Sequence, residues 1–271
     1  MNVTTPSADL QYAELIRSCL TGEKVRTRNS DCWRAEPGLR CVFDRTPLIT
    51  ARRCAWRNCL REWEWFMSGS NRVSDLHPSV RPWWEPWQSE AGNVRYNYSR
   101  QFRAFWGREV ASVDQIATLI GGIRLHPMSR RNVITTWNTA DMVSPDCPIT
   151  NCHGTVIQAT GHEDGRLTLT TYQRSVDVIC GLPHNWLQYW AFLLWLCART
   201  ERTPGRLVWI GGDIHVYEAH LDLARRIVAL ESLPEQPELV YKPVGMQFAA
   251  DEFHLDREYQ PTIEEKAVMV V

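Results

Sequence analysis

The chain of 271 residues has almost no lysine. Only Lys24, Lys242 and Lys266 are lysine among its 30 basic residues, and the other 27 are arginine. Net charge is −1, so there is no overall basic field to gather nucleic acid and no acidic tail. Long apolar runs are missing as well. The most apolar stretch, residues 186–198, is 13 residues long and contains Gln188, short of the roughly 18–20 that cross a bilayer. Residues 1–20 show no basic segment followed by an apolar one, so no secretory leader and a cytoplasmic location are expected. There is no glycine-rich phosphate loop. Nine cysteines, an odd number without repeating spacing, suit free thiols in a reducing compartment. Cys147 and the Cys152-His153 pair lack a second ligand pair downstream, so no metal site is expected. No repeat or low-complexity linker divides the chain, which reads as one domain over 1–271.

Arginine and tryptophan are what the sequence has in excess. A GC-rich coding sequence would account for most of the arginine. Some of it suits a task lysine does poorly, the bidentate grip of phosphate or carboxylate. Residues 8–20 place Leu10, Ala13, Ile16 and Leu20 on one helical face. Residues 53–68 and 185–198 also read as helices, and 214–230 as an amphipathic one. Residues 166–172 alternate apolar and polar with many threonines, as a strand does. Further strands are expected at 131–137, 154–160, 206–210 and 238–242. Helices and strands mix without regular alternation, so the class is α+β.

Chemistry concentrates in a few segments. Cys152-His153 follows the turn-like Ser144-Pro145-Asp146-Cys147-Pro148. Tyr172-Gln173-Arg174-Ser175-Val176-Asp177 sets five polar side chains beside a strand end, costly to bury without a ligand or network. Gly181-Leu182-Pro183-His184-Asn185 leads into the apolar helix. Gly211-Gly212-Asp213-Ile214-His215-Val216-Tyr217 reads as a glycine turn ahead of two hydrogen-bonding aromatics.

In this order, the segments resemble the thymidylate synthase superfamily nearly end to end. The match includes Arg26, Glu62 to Phe66, Trp84 with Trp87, Tyr98 before Gln101-Phe102-Arg103, Ser129-Arg130-Arg131, Cys152-His153, Gln173-Arg174-Ser175 with Asp177, Gly181-Leu182-Pro183 with Asn185, and His215 with Tyr217. The resemblance implies a mixed β-sheet flanked by helices and a homodimer packed through its sheets. It implies dUMP as substrate and 5,10-methylenetetrahydrofolate as co-substrate, with no membrane and no nucleic acid required.

It also implies roles. Cys152 is the nucleophile that adds to C6 of the pyrimidine, since a thiolate attacks well and can leave again. Arg174, Ser175 and Arg26 hold the 5′-phosphate, with Gln173 beside them, and Arg174 favours the Cys152 thiolate. Arg130 and Arg131 reach the phosphate in the partner subunit. His215 and Tyr217 bind the sugar 3′-hydroxyl. Trp84, Asp177, Gly181 and Val271 serve the folate, with the C-terminal segment closing over it. Glu62 moves protons, Tyr98 assists removal of the C5 proton, and Asp177 is counted among the catalytic groups. Asn185 reads the base: an amide can accept from uracil N3–H and donate to O4, where a carboxyl group suits cytosine.

Departures from the synthase pattern bear on the product. Synthases carry Glu-Leu-Leu-Trp where this chain has Glu62-Trp63-Glu64-Trp65, which looks like the Glu-x-Glu-Trp of phage cytidylate hydroxymethylases. Tyr96-Asn97-Tyr98-Ser99 replaces Pro-Val-Tyr-Gly. Asn151 stands where proline precedes the cysteine, and His184 where an aromatic follows the Gly-Leu-Pro turn. Polar groups near the methylene site suggest a water, hosted by Glu64, Asn151 or His184. The expected activity is therefore deoxyuridylate hydroxymethylation, as in a bacteriophage that makes a modified thymine. Thymidylate synthase is the alternative. A non-catalytic arginine-rich nucleic-acid-binding protein is a third reading, disfavoured by the neutral charge.

Overall fold

The computed structural model describes residues 5–106, 112–143 and 151–270. In chain order the elements are α1 (Ala8–Leu20), β1 (Glu23–Arg26), β2 (Asp31–Arg34), β3 (Arg40–Phe43), α2 (Trp56–Ser68), α3 (Arg81–Trp84), α4 (Tyr98–Arg103), α5 (Gln115–Leu125), β4 (Val133–Thr135), α6 (Thr139–Met142), β5 (Val156–Gly161), β6 (Arg166–Asp177), α7 (Leu182–Thr200), β7 (Thr203–Tyr217), α8 (Leu221–Val228), β8 (Leu239–Tyr241) and β9 (Phe253–Leu255). Seven strands form one mixed sheet in the order β1-β2-β7-β6-β5-β4, with β3 also paired to β7. Among its described strand pairs, only β6 and β7 run parallel. A parallel pair needs a crossover, and α7 is that crossover. The α+β class is as expected.

The sheet buries one face by simple alternation. Ile157 and Ala159 of β5, Leu167, Leu169 and Thr171 of β6, and Leu207 and Trp209 of β7 all point into the core. Against them lies α7, apolar on nearly every side and buried along its length. Trp186 of α7 meets Phe43 at 4.7 Å, Trp209 at 5.9 Å and Tyr12 at 6.2 Å. On its other flank α7 packs on α2, where Trp63 touches Tyr189 and Phe192. Gly181 begins α7, with Pro183 in its first turn. No helix among the described residues is long and apolar enough to cross a membrane, and their eight cysteines are free thiols.

Two expectations need correction. Residues 214–230 are not one helix: Ile214 to Tyr217 finish β7, and α8 covers only Leu221–Val228. Ile214, His215 and Val216 are held by pairing with β2 and β6, which a local apolar pattern cannot reveal. Gly211-Gly212 is not a turn but lies inside β7. A Cβ on Gly212 would sit 2.6 Å from the Arg174 carbonyl oxygen, and one on Gly211 2.4 Å from the Trp209 ring. Close approach, not a left-handed conformation, demands glycine there. The Gln173-to-Asp177 segment likewise continues β6 rather than following it. Smaller shifts of boundary affect α2, which starts at Trp56, and α7, which runs from Leu182.

Buried Asp9 anchors the approach to α2. Its Oδ1 accepts from the N–H groups of Thr50 (2.9 Å) and Ala51 (2.8 Å), and its Oδ2 from Thr50 Oγ1 and Gln236 Nε2, both at 2.9 Å. The next residue, buried Arg52, donates to Tyr12 Oη and to the carbonyls of Arg53, Ile179 and Cys180. This ties residues 50–53 to the turn that opens α7. Asp9→Ala leaves two buried N–H groups unpaired and should cost about 3 kcal/mol, measurable as a lowered urea midpoint.

Candidate active site

A cavity of about 620 Å³ opens where the ends of β6, α7 and α2 converge, a size that suits small ligands. Cys152, Tyr98, Glu62, Arg174, Asn185 and Gly181 line it, with Trp83, Trp84 and Trp87 on one wall. Arg28, Arg53 and Lys266 contribute cations, and Lys266, Ala267 and Met269 come from the C-terminal segment.

Cys152 is placed by backbone bonds. Its carbonyl accepts from the Arg174 N–H of β6 at 3.0 Å. Its own N–H donates to Tyr98 Oη at 2.9 Å, and the N–H of His153 approaches the same oxygen at 3.4 Å. With its oxygen accepting twice, the Tyr98 hydroxyl turns its proton to Cys152 Sγ, 3.4 Å away. Burial, then the neighbouring thiol, push the Tyr98 phenol well above its ordinary pKa, so it stays a neutral donor. Asn97 positions Tyr98 by capping α4, its Oδ1 accepting from the Arg100 N–H. Arg174 Nε donates to the Asn151 carbonyl at 3.2 Å, and its guanidinium lies over Trp137.

Glu62 accepts from Trp84 Nε1 at 2.6 Å and from Gln188 Nε2 at 2.8 Å. Burial raises its carboxyl to about 7, against the pull of those two hydrogen bonds. Asn185, also buried, accepts from Gln173 Nε2 at 2.9 Å and donates to Gln188 Oε1 at 3.3 Å. Asp177 Oδ1 accepts from the N–H groups of Ile179 and Cys180, shaping the turn before α7. Its Oδ2 lies 3.3 Å from His220 Nδ1, and His220 Nε2 donates to the Val268 carbonyl at 2.8 Å. Burial opposes a charge on His220, but Asp177 and Val268 outweigh it and hold the pKa above the ordinary value.

A family model described as thymidylate synthase matches residues 10–271. The chain belongs to the thymidylate synthase family. The family comprises folate-dependent one-carbon transferases that act on dUMP and take methylenetetrahydrofolate as co-substrate. The cavity fits such a pair of ligands: a thiol and an arginine side by side, an indole wall for a flat ring, and cations at the mouth for anionic groups.

Other expected site residues lie elsewhere. Arg26 is exposed and pairs with Asp31 at 2.8 Å, while Arg28 of the same hairpin reaches the cavity. Arg130 and Arg131 are exposed before β4 and do not line the cavity. Ser175 sits on β6 in register with Asp213. His215 Nδ1 is held by Asp213 Oδ1 at 2.7 Å, and its ring meets Tyr217. Val271 and Cys147 lie outside the described residues.

Two candidate water hosts fail on geometry. Glu64 stands two residues from Glu62, on the far side of α2, where Ala250 N–H donates to it at 3.3 Å. His184 faces the cavity, but its Nε2 accepts from the Ala55 N–H (3.1 Å) and its Nδ1–H donates to the Cys180 carbonyl (3.0 Å). Burial lowers its pKa to about 4, so it is neutral with both nitrogens engaged. Conversely, sequence reasoning named His153 and Gln188 without giving them a role and did not single out His220. His153 lines the cavity with its ring 4.2 Å from that of Tyr98. The signal for Gln188 was there, because a glutamine within an apolar helix must be satisfied by a network.

Glu62 predicts a pH dependence. Burial brings its carboxyl to about 7 when folded, against its ordinary value of 4.5 when unfolded. Between those values the folded chain holds the extra proton, so this group's contribution to stability falls as pH rises from 4.5 to 7. Glu62→Gln should therefore gain in urea midpoint relative to wild type between pH 5 and pH 8. An unchanged difference would contradict a desolvated carboxyl.

Proposed function

We propose that the chain is a deoxyuridylate 5-hydroxymethyltransferase, converting dUMP, methylenetetrahydrofolate and water into 5-hydroxymethyl-dUMP and tetrahydrofolate. The observation that carries this reading is Asn151. It precedes the nucleophile and is buried; its Nδ2 donates to the Thr136 carbonyl at 3.2 Å, and its Oδ1 has no partner among the described residues. A buried acceptor on the residue before the reacting thiol is satisfied by a water or by a ligand group.

Each side chain then has a task. Cys152 adds to C6 with its thiolate steadied by the Tyr98 hydroxyl. Arg174 holds the phosphate next to it. Glu62, able to exist in either protonation state near neutral pH, passes protons at the base. Asn185 accepts from N3–H and donates to O4 of the uracil. Methylenetetrahydrofolate supplies the one-carbon unit and, in a synthase, a hydride as well. Trp83, Trp84 and Trp87 bound the space for its ring system, and Asp177 shapes the turn beneath it. In the hydroxymethylase, Asn151 holds water at the carbon that a synthase keeps dry.

Thymidylate synthase is the second reading. The indole wall and the C-terminal segment favour it, because both exclude water. Ion pairs Arg53–Glu264 (2.9 Å) and Arg226–Glu265 (2.6 Å) hold that segment down. One incubation separates the two. With dUMP and methylenetetrahydrofolate, the hydroxymethylase yields a nucleotide heavier than dTMP by one oxygen and no rise in dihydrofolate absorbance. Dihydrofolate together with dTMP overturns the proposal. Asn151→Pro should cut hydroxymethyl product about tenfold while tritium release from C5 of dUMP stays within about twofold.

The reading includes a sheet-packed homodimer with Arg130 and Arg131 serving the partner's phosphate. The outward face of the sheet supports it, since Val133, Val156 and Tyr172 expose 41, 40 and 39% of their surface there. Val156→Glu should yield monomers in sedimentation velocity and lose turnover. A dimer that survives the substitution excludes this face.

A further inference from the structure

The link from α5 to β4, residues 126–132, carries two exposed arginines, Arg130 and Arg131, on a closely braced loop. Its two ends are tied together by Asn132, its one buried residue. Asn132 Nδ2 donates to the His126 carbonyl at 3.1 Å and to the Pro127 carbonyl at 3.3 Å. Both partners can only accept, so the amide has one orientation. Other bonds complete the frame. The Ser129 N–H donates to the His126 carbonyl at 2.9 Å. From β5, the N–H groups of Ala159 and Gly161 donate to the carbonyls of Asn132 and Pro127 at 2.9 and 3.0 Å. Gln158 Nε2 donates to the Arg130 carbonyl at 3.4 Å, and the Arg131 N–H to Ser129 Oγ at 3.2 Å.

The neighbouring helix makes room for this clamp. With Nδ2 on the two carbonyls, Asn132 Oδ1 faces α5, and a Cβ on Gly122 would stand 2.4 Å from it. Gly122 lies inside α5 and has no left-handed backbone to justify it. Glycine there weakens the helix relative to alanine. An apolar side chain at residue 132 would fill the space without needing that concession. What the asparagine adds is a loop of fixed shape, and the charged groups on that loop are Arg130 and Arg131.

We propose that Asn132 is a positioning residue: by clamping the loop it aims Arg130 and Arg131 at the phosphate of dUMP in the partner's site. Two guanidiniums grip one phosphate only when both forks point at it, and a pair aimed before binding loses less freedom on association. This rests on the reading that the two arginines serve the partner's phosphate.

The test measures tritium release from dUMP labelled at C5, with methylenetetrahydrofolate, in wild type, Asn132→Ala/Gly122→Ala and Arg130→Ala/Arg131→Ala. In the first double variant the methyl added at position 122 takes the space the amide leaves, so the packing is kept and the clamp is lost. Its KM for dUMP should rise about tenfold, while kcat and the KM for methylenetetrahydrofolate stay within about twofold. Asn132→Leu keeps the volume and loses both bonds; it should show the same split, and it carries the test if the double variant does not fold. The arginine variant should raise the KM for dUMP at least as far. A raised KM there, with an unchanged KM in the folded clamp variants, overturns the clamp alone. An unchanged KM in the arginine variant overturns the phosphate reading, and the clamp with it. If kcat and both KM values worsen together in the clamp variants, Asn132 only supports the fold and the proposal fails.

Discussion

A helix that is buried on nearly every side cannot carry polar groups at will. α7 carries Asn185 and Gln188 within its first two turns, and each must find partners inside the protein or in a ligand. Much of the site follows from that constraint. The two amides draw Gln173 from β6, Glu62 from α2 and Trp209 from β7 into one network, so three elements meet at the N-terminal end of α7. The cavity stands at that junction, and its polar residues are oriented by bonds that also hold the core together. Rigidity of this kind is what a site needs to hold reacting groups in register.

The same economy of contacts explains how loops are kept in place around the cavity. Asp9 fixes residues 50 and 51, and Arg52 carries the restraint to the turn before α7. His184 closes the circle by accepting from the uncapped start of α2. His220 links Asp177 to the C-terminal segment through the Val268 carbonyl. Arg52 and His184 line the cavity themselves, while Asp9 and His220 act from outside it.

Some of this was legible in the chain. The alternation of Leu167, Leu169 and Thr171 announced β6, and the ordered motifs placed Cys152, Arg174 and Asn185 in one site. Glu62 was legible as a carboxylate among tryptophans. The reading failed where the cause was not local. Ile214 and Val216, followed by Leu221, Leu223, Ala224 and Ile227, continue an apolar pattern with two periods in it, and only pairing with β2 and β6 separates strand from helix. Glu64 looked catalytic beside Glu62, but two positions along a helix is more than half a turn, and the carboxylates face different surroundings.

By itself, then, the sequence determined the family and the chemical character of the site, because those reside in residue types and their order. Only the tertiary structure decided which candidates meet. It brought Arg28 to the cavity while Arg26 pairs with Asp31, left Asn151 with an acceptor that no described residue fills and His184 with both nitrogens engaged, and set Gln188 between Asn185 and Glu62. The physical reason is that hydrogen-bonding capacity is a property of a residue, whereas whether it is already spent depends on neighbours that lie far away in the chain.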